Sequence, residues 1–412
     1  MTWLVETHQI KRKDSKAMDE LCFKTKNLYN AVNYDYRQLF FGNKKRKENG
    51  EATIPFPHHF ALTAKYVREK QPDYKALPSG IAQAVVAKTK ASWTLFFTLS
   101  KDWKKNPHKY NSYPDIPKYK DKIKGRYWAI FTKGLAKIKN GYVCFPKATK
   151  IQPIKTRVTK ENFCQAQIIP CGNSYKVLVM YKVEAKDVGL DKKRVLGIDL
   201  GVNNLATIVD NTGERRPIVI KGGRIKSENQ WWNKNMAELK ACLPNGKGST
   251  RKTQLISLRR TNRVNDALHK TSHFIIDYCL KNNIGTIVVG KNKGWKKESK
   301  LSSFVNQKFV EIPHARLIDQ INYKSQLYCM AFIEQEESHT SKCDALALEP
   351  VEHREFYLGK RKHRGLFVSS TGKHIHADVN GALNIIRKAI GDDNLVLNWG
   401  CLAQPVSEVL HA

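Results

Sequence analysis

The chain has no apolar run approaching the ~20 residues that a membrane-spanning helix needs. Its opening stretch, MTWLVETHQIKRKDSK, holds no apolar core of a secretory leader. Neither secretion nor membrane insertion is expected, and the expected setting is the cytoplasm. Paired cysteines are missing too: the nine cysteines are scattered, odd in number and never spaced C-x-x-C, as reduced thiols would be. Acidic residues are scarce, 37 Asp and Glu against 72 Lys and Arg, which leaves a formal net charge of +35 spread along 412 residues. A field this strong repels itself in a compact chain and is neutralised by a polyanion far better than by a small acidic ligand, so a nucleic acid partner is expected. No internal repeat and no long low-complexity segment is present.

What is present divides the chain into three stretches, and its length alone predicts more than one domain. Leu21, Leu28, Val32 and Leu39 recur at helical spacing from about Asp14 to Phe40, and Ile81, Val85, Val86, Trp93 and Phe96 do so from about Ser79 to Leu99. The intervening FGNKKRKENGEATIPFP is a loop by its Lys, Gly and Pro content. From about Tyr127 to Val183 the period changes to short β runs, YWAIF, YVCFP, AQIIP and YKVLVMYKV, separated by KNG and CGNS turns. These predict a small β-barrel or sandwich. The opening TWLVETHQI alternates in the same way and is expected to join that sheet, which makes the helical part an insertion.

From about Lys192 the runs VLGIDLG, LATIVDN and RPIVI are followed by a long basic helix over about 251–280, strand TIVV, a helix near 313–328, strand CMAFIEQ and a last helix over about 379–389. The order β-β-β-α-β-α-β-α is that of the ribonuclease H-like fold, RuvC nucleases included. The expected architecture is therefore an α/β RuvC-type (RNase H-like) domain preceded by a β-barrel domain with an α-helical insertion. Its boundaries are residues 1–13 for the first barrel strand, 14–125 for the helices, 126–190 for the rest of the barrel, 191–342 and 373–412 for the two parts of the α/β domain, and 343–372 for an insertion between them.

Two aspartates stand where such a fold does chemistry. Asp199 in GIDLGVNNLATIV closes an apolar strand, and a carboxylate buried among Leu and Ile needs hydrogen bonds or a cation. A turn-capping role suits VDNTGE better than this position. Asp378 in HIHADVNGALNIIRK precedes an apolar helix, where a plain N-cap is the simpler reading until it is paired with Asp199. Asn380 and Asn384, on one face of that helix, are suited to hold a backbone or a water. Two carboxylates together in this fold point to a two-metal phosphodiesterase.

The segments KTKNLYNAVNYDYRQ, GIDLGVNNLATIV, IVVGKNKGWK, IPHARLIDQINYKSQ, EESHTSKCD and GKRKHRGLFVSSTGKHIHADVNGALNI resemble the TnpB family of bacterial insertion sequences, relatives of the type V CRISPR effector nucleases. The resemblance spans nearly the whole chain and is densest in its C-terminal half. It implies an RNA-guided DNA endonuclease with a transposon-derived guide RNA, a double-stranded DNA target read beside a short flanking motif, and one RuvC site. It further implies that the β-barrel is a wedge domain, that the helices are a recognition domain, and that two Mg ions, with Mn as a substitute, sit in the site. The setting it implies is the bacterial cytoplasm, with association to the nucleoid when DNA is bound; monomer and RNA-bound dimer both remain open.

The sequence departs from the family in two places. TnpB-like proteins commonly carry a zinc knuckle of paired C-x-x-C motifs, whereas here Cys343 stands alone and LFVSSTGKH has no cysteine, so no structural zinc is expected. His353, His363, His374 and His376 lie nearby but not in a finger spacing. A third carboxylate is also due at the end of the fourth strand, where Val288, Val289 and Gly290 stand instead. The fourth and fifth strands of such a sheet are parallel and open on the same edge. Moving a ligand one strand across displaces it by ~4.8 Å, which a Glu partly recovers. Glu337, just before SHTSK, is the expected third metal ligand beside Asp199 and Asp378. Glu336 would face the other way, Glu334 lies further back, and the whole EQEE cluster also reads as a solvated strand end.

The expected nucleic-acid contacts are Tyr29, Asn30, Tyr34 and Arg37 in the recognition-like segment; Arg259, Arg260 and Arg263 on the basic face of the long helix; Lys291, Lys293 and Lys296 as a basic lip; and Thr340, Ser341 and Lys342 after the acidic cluster, where a capped turn is an equal reading. Trp231 and Trp232 suit base stacking or, more often for tryptophan, the core. Two rival functions remain: a TnpB-like regulator that binds under RNA guidance without cutting, for which Gly290 is the first lesion, and a DNA-strand transferase built on the same carboxylates.

Overall fold

The computed structural model describes residues 2–11, 15–246, 248–291, 312–363 and 365–410, so Lys293 and Lys296 lie outside the described residues. The chain divides into two compact units, Trp3–Val183 and Glu184–Ala412, the latter together with Met1–Thr2. No helix among the described residues is long and apolar enough to cross a membrane.

In the first unit, β1 (Thr2–Lys11) is followed by α1 (Lys16–Glu48), α2 (His59–Arg68), α3 (Pro72–Lys75) and α4 (Ser79–Lys105). The strands β2 (Ala129–Thr132), β3 (Lys137–Lys139), β4 (Tyr142–Cys144), β5 (Ile154–Lys155), β6 (Phe163–Cys171) and β7 (Ser174–Val183) come after. Leu21, Leu28 and Val32 of α1 share one apolar core with Ile81, Val85 and Trp93 of α4, as their spacing predicts. The buried indole of Trp93 donates to Asn33 Oδ1 at 2.9 Å, which satisfies both polar groups. α1 continues past Phe40 to Glu48, through residues that read as loop. Lys, Arg and Glu are good helix formers, and the one glycine on the way, Gly42, costs only about 1 kcal/mol. Among the described residues the strands make two sheets, in the orders β1-β7-β6-β2 and β3-β4-β5. The opening strand therefore pairs with the last strand of the unit, and the helices lie between them in sequence. The strands do not close into one sheet: the very short β3, β4 and β5 pair only with one another.

In the second unit, β8 (Asp191–Asp199), β9 (Asn204–Asp210) and β10 (Ile218–Lys221) lead to α5 (Gly223–Ala241), α6 (Arg251–Lys281), β11 (Ile284–Gly290), α7 (His314–Gln326) and β12 (Ala331–Gln335). β13 (Lys360–His363), β14 (Leu366–Val368) and β15 (His374–Ile375) form a small antiparallel sheet before α8 (Ala377–Ile390), α9 (Trp399–Leu402) and β16 (Val406–Glu408). The large sheet runs β12-β11-β8-β9-β10-β16, with β8, β11 and β12 mutually parallel and β9 antiparallel to both its neighbours. Parallel neighbours need a crossover, and α6 and α7 stand in the chain where those crossovers fall. This is the RNase H-like strand order with one edge strand added. That strand, β16, has three residues pairing with Ile218, Val219 and Ile220, too few to signal a strand in sequence. α5 is the other unexpected element: it buries only Ile225 and Asn229, so it carries almost no periodic signal.

The alternation of side chains across the sheet places the site. Leu196, Ile198, Ile287 and Val289 share a core with Leu268 and Ile275 of α6, whereas Val195 and Val288 share another with Ala382, Leu383 and Ile386 of α8. By the same period of two, Asp199 and Gly290 fall on the α8 face. Gly197 lets that helix come close, since a Cβ there would stand 2.4 Å from Ile386 Cγ1 and 2.8 Å from the Ala382 carbonyl oxygen.

Candidate active site

Asp199 ends β8 beside α8, where Gly381 leaves its carboxyl room: a Cβ on Gly381 would lie 3.0 Å from Asp199 Oδ2. Burial, and next the negative charges of Asp378 and Glu337, push the Asp199 pKa well above the usual carboxylate range, with the Arg361 guanidinium opposing. Asp378 lies in the first turn of α8 but does not cap it. His376 is the cap, its Nδ1 accepting from the Asp378 N–H at 3.2 Å, so the Asp378 carboxylate is left for other partners. Asn204 donates to its Oδ2 at 2.7 Å, and Arg361 approaches its Oδ1 at 3.6 Å. Neither Asn204 nor Arg361 was singled out from sequence. Arg361 sits in a basic run that looks like solvated surface, and only the fold of β13 brings it to the aspartate.

β12 ends at Gln335, and the turn after it carries Glu337 back over the end of β11. A Cβ on Gly290 would stand 2.6 Å from Glu337 Oε2 and 2.6 Å from Ile385 Cδ1. The Glu337 carboxylate thus fills the space that a side chain from the fourth strand would take. Burial, with the charge of Glu336, pushes the Glu337 pKa up to about 7. Glu336 turns to Lys388 at 2.7 Å, and hydrogen bonds from Lys388 and Ser338 hold its pKa down at about 2. Glu334 pairs with Lys291.

Three polar side chains on α8 fix the turn that follows Glu337. Asn384 donates to the Thr340 carbonyl at 2.8 Å and to the Cys343 carbonyl at 2.7 Å. Asn380 donates to the same Cys343 carbonyl at 2.8 Å and accepts the Ala345 N–H at 3.0 Å. Arg387, itself buried, donates to Asn384 Oδ1 at 2.7 Å and to the Glu349 carbonyl at 3.0 Å. The helix that carries Asp378 is in this way tied to the turn that carries Glu337.

The segment where a zinc knuckle would sit is held by a carboxylate. Asp344 is fully buried, and its Oδ2 accepts from Ser369 Oγ at 2.8 Å, Ser370 N–H at 2.7 Å and Ser370 Oγ at 3.1 Å. Its Oδ1 accepts the N–H groups of Leu346 at 3.1 Å and Ala347 at 3.3 Å. The Cys343 thiol donates to the Glu352 carbonyl at 3.8 Å.

The three carboxylates suit a hard divalent cation by their chemistry: oxygen donors with two raised pKa values, one of them raised by its carboxylate neighbours, are relieved by a positive ion. Among the described residues no three His, Cys, Asp or Glu side chains are already gathered as a ligand set. Asp378 is engaged with Asn204 and Arg361. A stability prediction follows for the metal-free protein. Glu337 titrates near 7 in the folded chain against roughly 4.3 unfolded, so between those values the folded state binds more protons and stability falls as pH rises. Melting temperature in EDTA is expected to drop from pH 5 to pH 7.5, and Mg is expected to raise it more at pH 7.5 than at pH 5.

Several expected nucleic-acid contacts are engaged within the protein instead. Tyr29 donates to the Lys118 carbonyl at 2.9 Å, Asn30 exchanges two 2.9 Å hydrogen bonds with the Lys120 backbone, and Arg37 donates twice to the Pro117 carbonyl, at 3.1 and 3.0 Å. With Lys26 and Asn33 they strap residues 117–122 along α1, a long-range pairing that no local pattern announces. Tyr34, 54% exposed, is the one of the four left open. Arg260 donates to Asn229 Oδ1 at 2.7 Å, Arg263 pairs with Glu228, and Arg259 and Arg260 lie over the rings of Trp231 and Trp232 at 4.9 and 5.0 Å. These arginines and tryptophans join α6 to α5. Lys291 is paired with Glu334, and Thr340 caps its turn by donating to the Glu337 carbonyl at 2.8 Å. Ser341 and Lys342 are exposed.

The sheet order β12-β11-β8-β9-β10, with carboxylates at one edge, is that of the RNase H-like fold. Residues 178–296 match the family OrfB_IS605, described as a probable transposase, and residues 314–385 match the Cas12f1-like TNB domain. The chain is 26% identical over 403 residues to the TnpB-like protein ORF457 of Acidianus two-tailed virus, across 88% of this chain and 81% of that protein. Its fold is similar to the cryo-EM structure of the Cas12f1-sgRNA-target DNA complex, with a TM-score of 0.53 at 15% identity over 92% of this chain and 84% of that one. Over most of its length the chain is similar to a TnpB-like protein.

Proposed function

We propose that the protein is an RNA-guided DNA endonuclease that binds a transposon-derived guide RNA and cleaves complementary DNA next to a short flanking motif, with Asp199, Glu337 and Asp378 holding Mg. The observation that carries this reading is the Glu337 carboxylate lying over Gly290 and beside Asp199. When bound, paired Mg ions activate a water and stabilise the leaving oxygen of the phosphodiester. Asp199 and Glu337 hold a cation only as anions, so their raised pKa values couple metal binding to proton release. Asn204 orients the Asp378 carboxylate. Arg361, an exposed cation beside the acids, receives the phosphate of the strand to be cut and in doing so releases Asp378. Ser341 and Lys342, exposed after the turn, line the approach. The net charge of +35 supports the polyanionic partners, with the first unit's helices as recognition elements and its sheets as the wedge.

Gly290, a strand end with no carboxylate of its own, favours a second reading, guided binding without cutting. One experiment separates the two. The chain is purified with its co-expressed RNA and given matching double-stranded DNA with Mg. Cleavage is expected, and Asp199→Ala is expected to abolish it while DNA binding persists. Binding without cleavage by the wild type selects the second reading, and absence of RNA-dependent binding contradicts both.

A further inference from the structure

The helical part of the first unit contains a cavity that the nuclease chemistry does not use. It measures about 540 Å³ and lies between the end of α1, the loop at 53–56 and α4. Phe40, Phe56 and Phe97 line its apolar side, the last two packed edge to face with centroids 4.9 Å apart. Lys44, Lys47, Lys90 and Lys101 supply four positive charges, and no carboxylate lines it. The loop wall is fixed by Asn43, which donates to the Ile54 carbonyl at 2.7 Å and accepts the Ile54 N–H at 2.8 Å. The space is therefore preformed.

Lys90 is the most telling of the four lysines. Its ammonium lies 5.6 Å from the ring centre of Tyr36 and 5.5 Å from that of Phe56, and burial pushes its pKa down. A half-buried cation held against ring faces, in a cavity without a carboxylate, is stabilised by an anion entering beside it.

We propose that this cavity holds one unpaired nucleotide of a bound nucleic acid strand, its base against the phenylalanines and its phosphate at the lysines. The volume lies in the range of small-ligand sites, roughly 300–1,000 Å³. Aromatic faces accept any base, and lysines accept the phosphate. A strand fits better than a free nucleotide because the cavity offers four lysines, Lys44, Lys47, Lys90 and Lys101, more positive charge than one nucleotide's phosphate neutralises, and the flanking phosphates of a strand supply the rest. This inference rests on the nucleic-acid reading above and adds a site to it.

The test uses the full-length chain and two probes, AMP and a single-stranded oligonucleotide carrying one 2-aminopurine. Wild type is expected to bind the oligonucleotide and quench the 2-aminopurine by stacking. Phe56→Ala is expected to remove the quench and weaken binding by about 10-fold. Lys90→Met is expected to keep the melting temperature, since it removes a desolvated charge, while lowering affinity and flattening the dependence of log K on log salt by about 0.7. Wild-type affinity and quenching in the folded Lys90→Met variant overturn the site and leave the nuclease reading standing. AMP binding as tightly as the oligonucleotide overturns the strand assignment. A wild type that binds no strand contradicts the nuclease reading itself.

Discussion

Glu337→Gln is expected to lower the cleavage rate by about two to three orders of magnitude and to leave RNA and DNA binding unchanged. Gln keeps the shape that fills the space over Gly290. What it removes is one anionic oxygen donor. Charge stabilisation by bound cations supplies several kcal/mol of the barrier reduction, and each ~1.4 kcal/mol is a factor of ten in rate. The same substitution deletes a negative charge that raises the Asp199 pKa, so the metal-free variant is expected to melt higher than wild type at neutral pH. Single-turnover cleavage and thermal unfolding in EDTA check the two halves. An inert surface glutamate would move neither.

Asp344→Ala is expected to destabilise the second unit by on the order of 3 kcal/mol, as loss of a buried, charged hydrogen-bond hub does. The two Asp344 oxygens accept from the loops on both sides of β13 and β14, and removing them leaves Ser369 and the N–H groups of Leu346, Ala347 and Ser370 without those acceptors. Arg361 is carried on that hairpin, so cleavage is expected to fall along with the melting temperature. A zinc-selective chelator, by contrast, is expected to leave both unchanged in the wild type. A chelator-sensitive melt would assign the segment to a metal in place of this carboxylate.

Much of the second unit was legible because its strands are apolar and follow the order of a known topology. Asp199 announced itself as a charge at the end of such a strand, and Gly290 as a gap at the equivalent place. The relation between Gly290 and Glu337 could be inferred because parallel neighbours open on one edge, which reduces a three-dimensional question to a choice of strand. Residues that act across long sequence separations were not legible. Tyr29, Asn30 and Arg37 look like a surface recognition face until residues 117–122 are laid along them. Arg260 and Arg263 look like phosphate contacts until α5, which lacks an apolar stripe, packs beside α6. Asp378 is the expected cap in sequence, and only the backbone geometry gives that place to His376, whose Nδ1 accepts the Asp378 N–H. Charge patterns report that a residue is polar; they do not report its partner.

The most direct test of the relocated carboxylate is to move it back. Cleavage of matching DNA by the RNA-bound protein is compared for Glu337→Gly, Gly290→Glu and the double variant. Gly290→Glu alone is expected to be inactive, because its Cβ meets Glu337 Oε2 and Ile385 Cδ1 at 2.6 Å each. Glu337→Gly alone is expected to be inactive for want of a ligand. The double variant, with one carboxylate again over the end of β11, is expected to regain measurable cutting. Cleavage at the wild-type rate by Glu337→Gly would contradict a catalytic carboxylate at position 337.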